Sequence, residues 1–287
     1  MVRMRTVFLA LLLVLSKGVA SAQSCDRACL HNTITNYLNA VITHNPGSLP
    51  LAANVRFTED TVEHNLREGL WSTATRMRPY RQEILDVRQG VAGVYTVVEE
   101  QGKPALLLAR LKVSNRRITE IETVVTRGAQ EGLLFDANAL QNPSPEMIRV
   151  LYEDQLESRE DAIAIAQLYP AGLKAGSFVT VNTPFAANAY RFENGRLMAG
   201  LACTFAQGCN DIKRQRIPAL AEIKTRVVAV DEDMGIVWLR MDFGAGSVGD
   251  RNRSLIVWEM FKVYEGQIHA VEAFMEQMPR GAGSGWD

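Results

Sequence analysis

Between residues 28 and 44 the apolar positions Leu30, Ile34, Tyr37, Leu38, Val41 and Ile42 recur at three- and four-residue steps. That spacing places them on one face of a helix, which Asn45-Pro46-Gly47 brings to an end. Further on, the pattern changes to alternation and short apolar runs between turn residues. It predicts strands over 55–58, 62–66, 82–88, 92–99, 105–113 and 118–126. The second half repeats this order. Ser144-Pro145-Glu146 is a helix start, Met147, Val150, Leu151, Ile163 and Leu168 continue its apolar faces, and Pro170 is its expected end. Strands follow over 189–193, 196–199, 222–230, 234–243, 253–263 and 267–276. A helix followed by a meander of antiparallel strands is an α+β domain, here present twice.

Short phrases recur as well as elements. Leu51-Ala-Ala-Asn-Val-Arg-Phe57 returns as Phe185-Ala-Ala-Asn-Ala-Tyr-Arg-Phe192 with one residue inserted, and both continue into Glu and a turn residue. Lys112-Val113, Ile118, Ile121 and Glu122 return in order as Lys262-Val263, Ile268, Val271 and Glu272, at a constant offset. Two matches in register, flanked by the same predicted elements, point to a duplicated unit. The boundaries expected from this are a leader over 1–22, a first domain over 23–126 holding the active site, a linker over 127–144, a second domain over 145–277 and a tail over 278–287.

This order of helix, Ala-Ala-Asn entry and long sheet closing on Ile-x-x-Ile-Glu resembles the SnoaL-like, nuclear transport factor two-like cone family. The resemblance implies two tandem cone-shaped domains, each with helices packed on a curved antiparallel sheet around a pocket. Members of that family are ketosteroid isomerases, polyketide cyclases, dehydratases, epoxide hydrolases or binding modules, so fold alone selects no activity. The tandem, exported form also resembles bacterial lignin-dimer γ-formaldehyde lyases, cofactor-free enzymes acting on diarylpropane or phenylcoumaran diols.

Composition narrows the partners. With 287 residues, 47% hydrophobic, 22% charged and a formal charge of −1, the chain is neither fibrous nor disordered. Its 31 basic and 32 acidic residues leave no electrostatic footprint for nucleic acid or an anionic membrane. A small, largely uncharged ligand is expected, and the resemblance implies that it is an aromatic substrate. Arg3 and Arg5, the apolar run Val7 to Leu15 and the small site Ala20-Ser21-Ala22 have the parts of a secretory signal, so a periplasmic or secreted location is expected. The four cysteines form two local pairs, Cys25 with Cys29 and Cys203 with Cys209, which read as short disulfides, with metal binding as the alternative. Neither pair has zinc-knuckle spacing, so no metal is expected, and no cofactor. Gly244-Ala-Gly246-Ser-Val-Gly249 matches a dinucleotide loop in letters, but a strand rather than a helix follows it.

A cone pocket without a cofactor has to rely on side chains whose proton affinity is tuned by burial. His64, in the acidic hairpin Phe57-Thr-Glu-Asp-Thr-Val-Glu-His-Asn65, would share an apolar-facing side with Val62 and Leu66 if the alternation holds. Glu122 closes the repeated strand phrase beside Ile118 and Val124, as a general acid or base or as a structural partner of Arg56, with Glu272 and Arg191 in the second copy. Tyr37, repeated as Tyr169, could donate to a developing oxyanion. Phe57, Glu59, Trp71, Arg78 and Tyr80 complete the expected substrate-binding set. The resulting expectation is a cofactor-independent lyase, with a ligand-binding or assembly module as the rival. Sheet faces rich in Val, Ile and Trp add the expectation of a homo-oligomer.

Overall fold

A computed structural model describes residues 24–220, 222–247, 250–283, 285 and 286. The secretory-signal reading over 1–22 lies outside the described residues. The first half runs α1 (Arg27–Ile42), β1 (Leu51–Glu59), β2 (Val62–Glu63), α2 (Leu70–Thr73), β3 (Ala74–Asp86), β4 (Val91–Glu100), β5 (Lys103–Ser114) and β6 (Arg117–Thr126). A short α3 (Ala129–Gly132) lies in the connection. The second half runs α4 (Arg159–Ala175), α5 (Phe178–Val181), β7 (Phe185–Glu193), β8 (Arg196–Ala199), β9 (Ile223–Asp231), β10 (Ile236–Phe243), β11 (Arg253–Tyr264) and β12 (Gln267–Pro279). Each half forms one six-stranded sheet, ordered β2-β1-β6-β5-β4-β3 and β8-β7-β12-β11-β10-β9. The two orders are the same, so the chain is α+β with two tandem cone-type domains.

Four expectations are corrected in detail. The sheets are mixed rather than wholly antiparallel, because β1 pairs with β6, and β7 with β12, in parallel. The second helix starts at Arg159, where Ser158 accepts a hydrogen bond from the Asp161 amide and two acids fill the first turn, and not at Ser144. Pro170 lies inside this helix, which continues because Tyr169 and Leu173 anchor it in the core, and it ends at Gly176 in the left-handed region. The strand expected over 82–88 begins at Ala74, with register shifts around Pro79 that let an edge strand accommodate a residue lacking N–H.

The parallel pairing also re-registers the repeat. Leu51 and Phe57 lie opposite Ile118 and Ile121, while Phe185 and Arg191 lie opposite Ile268 and Val271. Phe57 and Arg191 are therefore equivalent positions, and no residue is inserted between the copies over this segment.

Each sheet is apolar on both faces. One face of each closes on its own helix, with Leu30, Ile34, Tyr37 and Val41 of α1 in the first core and Ala166, Tyr169 and Leu173 of α4 in the second. The opposite faces pack on each other and form a third core from both halves, including Tyr95, Leu108 and Val124 with Trp238, Trp258 and Phe274. Tyr95 stacks on Phe274 at 4.4 Å between centroids, accepts from Trp238 Nε1 at 2.9 Å and donates to the Trp258 carbonyl at 2.6 Å. Gly93 permits this approach, since a Cβ there would lie 2.3 Å from the Trp238 ring. The sheet faces behind the homo-oligomer expectation thus cover each other within one chain.

A reciprocal pair of clamps holds the halves together. Asp86, at the end of β3, accepts from the Val230 amide at 2.8 Å and pairs with Arg159 at 2.6 Å. Asp231, at the end of β9, accepts from the Leu85 amide at 3.0 Å and pairs with Arg27 at 2.6 Å. Both arginines are the first residue of the helix of their own half, so the contact has the self-complementary form of a two-fold interface. Removing one member of a buried ion pair leaves an uncompensated charge, at a cost of about 3 kcal/mol. Asp86→Ala is expected to lower the unfolding free energy by about that amount in urea titration, and Asp231→Ala by less, because Arg27 is 38% exposed and keeps Asp233 at 3.3 Å.

Candidate functional site

The first-half interior brings together four of the residues expected to line a pocket, Tyr37, Phe57, Glu59 and Trp71, and buries all of them. Tyr37 meets Trp71 edge-on at 5.6 Å, and Phe57, Leu70 and Trp71 are all buried. Glu59 lies beneath α2, accepting from the Leu70 amide at 2.9 Å, with Arg127 at 3.4 Å. Burial raises its pKa, and that backbone bond and Arg127 oppose the rise. Gly69, at φ 59°, is required here because a Cβ would lie 2.5 Å from the Glu59 carboxylate.

The other expected residues lie elsewhere. His64 falls just beyond β2, which is only two residues long, so the alternation argued for it does not extend that far, and Val62 beside it is 56% exposed. Its ring is 6.3 Å from Phe57, with Glu68 at 3.5 Å. Glu122 is on the opposite sheet face. A bulge pairs Val113 with Ile118 but Lys112 with Glu120, so Ile118 faces the helix while Glu122 and Val124 face the other domain. There Glu122 meets Arg226 at 2.8 Å, Arg240 at 3.1 Å and Arg110 at 3.6 Å. The structural partners expected for the two acids are replaced as well, since Arg56 pairs with Glu63 and Arg191 with Glu193. Arg78 binds Glu99 and Asn138, and the Tyr80 hydroxyl donates to Glu272 at 3.3 Å, both away from the first-half interior.

The second-half interior is hollow. Between α4, the sheet and the loop after β8 lies a cavity of about 300 Å³ with apolar walls that include Leu173, Leu220, Phe243 and Met275. The loop is held by the Cys203–Cys209 disulfide, by Gly200 donating to the Cys209 carbonyl and by Leu220 donating to the Leu173 carbonyl. Two replacements between the copies give the cavity its chemistry. Arg191 occupies the place of Phe57, and Glu259 that of Ala109, whose partner Thr123 corresponds to the Glu259 partner Ala273.

These groups form one network. Arg191 donates to Tyr169 at 3.1 Å and to Gln215 at 2.9 Å, and pairs with Glu193 at 2.7 Å. Glu259 is 3% exposed, and its Oε2 has no hydrogen-bond partner. Burial, followed by the nearby Glu193 charge, pushes its carboxyl up to about 8, against the opposing effects of Arg191 and the Tyr169 hydroxyl. Burial also raises the Tyr169 phenol. Glu259, its carboxyl so raised, lies in the same cavity as the arginine-paired Glu193 and is placed to donate a proton there. Among the described residues no group of three or more His, Cys, Asp or Glu is arranged to hold a metal.

Comparison with known proteins bears on this half. Residues 155–275 match the model of a domain family described as a domain of unknown function, DUF8021. A solved structure described as an NTF2-like protein of unknown function from Shewanella baltica OS155 is similar at 16% identity over 42% of this chain and 93% of that one, with a TM-score of 0.29. No curated protein matches the sequence.

Tyr169 was visible as the copy of Tyr37, but Glu259 escaped notice inside the apolar run from Leu255 to Phe261. The available signal was that lone acid, since a carboxylate in a buried strand needs a reason. Both disulfides are formed, at Cys25–Cys29 and Cys203–Cys209, which suits an oxidising compartment. No described helix is long and apolar enough to cross a membrane.

Two outcomes follow from these environments. Glu122→Gln is expected to destabilise the fold by about 2 kcal/mol in urea titration, because Arg110, Arg226 and Arg240 lose the charge they share while Arg240 keeps Asp242 at 2.8 Å. An acid with a raised folded-state pKa binds more protons folded than unfolded, so stability falls as pH rises from 4.5 to about 8. Glu259→Gln removes this loss, and its urea midpoint should gain steadily on that of the wild type across the same window. Asp60, pushed up to about 7, and Glu276, to about 9, titrate in both proteins, so the difference between the two curves isolates Glu259.

Proposed function

We propose that this protein is an exported, cofactor-independent lyase whose acid–base chemistry takes place in the second-half cavity on a small aromatic molecule. The observation that carries the reading is the buried Glu259, one oxygen of which has no hydrogen-bond partner, in one half-open apolar cavity with the Arg191–Glu193 pair. Moving the chemistry from the first half to the second follows from the cavity that Arg191, Glu193 and Glu259 line together in the second.

In its most specific form the substrate is a lignin-derived diol that loses its terminal carbon as formaldehyde. Glu193 takes the proton of the terminal hydroxyl as its carbon–oxygen bond becomes a carbonyl. The adjacent carbon–carbon bond breaks, and its electron pair becomes the new alkene. Glu259 protonates the departing hydroxyl, which leaves as water. Arg191 and Tyr169 stabilise negative charge as it develops. Formaldehyde, alkene and water account for every atom, and proton return from Glu193 to Glu259 resets the pair. About 300 Å³ is at the lower end for ligand cavities, so single-ring aromatic alcohols belong in the test beside two-ring diols.

The balanced charge supports a small-molecule partner over nucleic acid or a membrane surface. The disulfides support export, and a homo-oligomer would have to use other surface, such as that around the exposed Val150 and Tyr152. The deciding experiment incubates purified protein with a panel of aromatic alcohols and diols, without added cofactor, and looks for formaldehyde and alkene by mass. Turnover by the wild type that falls about 10²- to 10⁴-fold in both Glu259→Gln and Glu193→Gln is the expected result. Recovery of every panel member unchanged after stoichiometric binding would make the protein a carrier and overturn the lyase reading.

A further inference from the structure

The near-symmetry of the two halves exposes one unbalanced charge. Glu122 and Glu272 are equivalent residues of β6 and β12, and both point into the seam between the sheets. Glu122 is neutralised by Arg110, Arg226 and Arg240. Glu272 is 5% exposed and forms no ion pair among the described residues. Opposite it on β11, where Glu122 has Arg110, stands Met260. Among the described residues its side-chain partners are hydroxyls, Tyr80 at 3.3 Å and Ser144, and Ser144 is itself bonded to Tyr190.

In place of the missing guanidinium there is space. A half-open cavity of about 330 Å³ lies against Glu272, roofed by the connecting segment from Ala139 to Pro145. Two aromatic pairs wall it: Tyr80 with Phe274 at 6.3 Å, and Tyr190 with Phe192 edge-on at 5.5 Å. Aromatic faces attract cations through their quadrupole, and a carboxylate among them supplies the counter-charge, so a ring cage around an acid selects ammonium over a neutral molecule of the same shape. An amine carrying methyl groups suits such walls best, because it loses little hydration on entry.

We propose that this inter-domain cavity is a second ligand site, separate from the Glu259 chamber, and that it takes a small methylated or quaternary ammonium compound with Glu272 as counter-ion. Burial pushes the Glu272 carboxyl up, with Ser144 and Tyr80 opposing, and a cation in the cavity would favour its charged form. The site depends on both halves, since Tyr80 comes from β3 and Glu272, Tyr190 and Phe192 come from the second sheet.

Calorimetric titration of the disulfide-intact protein with choline chloride, and in parallel with its neutral tert-butyl isostere, tests the assignment. The expected result is saturable one-site binding of choline, with the isostere weaker by about tenfold or more. Glu272→Gln should weaken choline by at least about tenfold, and Glu259→Gln should leave it unchanged. Should Glu272→Gln fail to fold, Tyr190→Leu at the half-buried wall is the second variant, expected to weaken choline about tenfold with the melting temperature retained. Absence of choline binding, equal binding of the isostere, or wild-type affinity in a folded Glu272→Gln would each overturn the proposal.

Discussion

The packing of one sheet back against the other is the contact on which the rest of the molecule depends. A six-stranded sheet has two broad faces, and one helix covers only one of them. Here the second face of each sheet carries large apolar side chains, with Trp238, Trp258 and Phe274 from one half closing on Tyr95, Leu108 and Val124 from the other. The clamps formed by Asp86 and Asp231 bind each strand end to the partner domain and to the first residue of its helix. The halves are therefore two faces of one folded unit, arranged as two subunits would be in a symmetric dimer.

With the seam carrying so much of the apolar burial, the two cone interiors were free to diverge. One copy buries Tyr37, Phe57, Leu70 and Trp71 in one apolar core. The other keeps Tyr169 but exchanges Phe57 for Arg191 and Ala109 for Glu259, and its wall on one side is a disulfide-held loop rather than a plugging helix. The buried acid is tolerable because its raised pKa favours the neutral form, while the arginine is tolerable because Tyr169 and Gln215 accept from its terminal nitrogens and the Glu193 charge lies 2.7 Å away. Divergence also reached the seam, where Glu122 retains three arginines and Glu272 has hydroxyls and a cavity.

Much of the architecture is legible from periodicity. The α1 face, most strand positions and the duplication follow from local pattern, which depends on backbone geometry within a few residues. The site was harder, and particular residues show why. His64 was assigned to an alternating strand that stops at Glu63, and Glu122 was assigned to the cone face because a period of two was carried across a bulge near Thr119. One extra residue in a strand inverts the face of every side chain beyond it, and no local hydropathy signal marks that inversion when both faces are buried.

The sequence by itself determined that the chain is a duplicated α+β protein with two short-range cysteine pairs, because helical and strand periods and loop lengths are local properties. Tertiary structure decided which copy is hollow, which acids face a chamber and which face the seam, and which of two equivalent carboxylates meets a guanidinium. Those outcomes depend on parallel pairing between distant strands and on contacts between residues more than a hundred positions apart, such as Glu122 with Arg226. A carboxylate's proton affinity is set by who surrounds it in space, and the order of letters along the chain does not contain that neighbourhood.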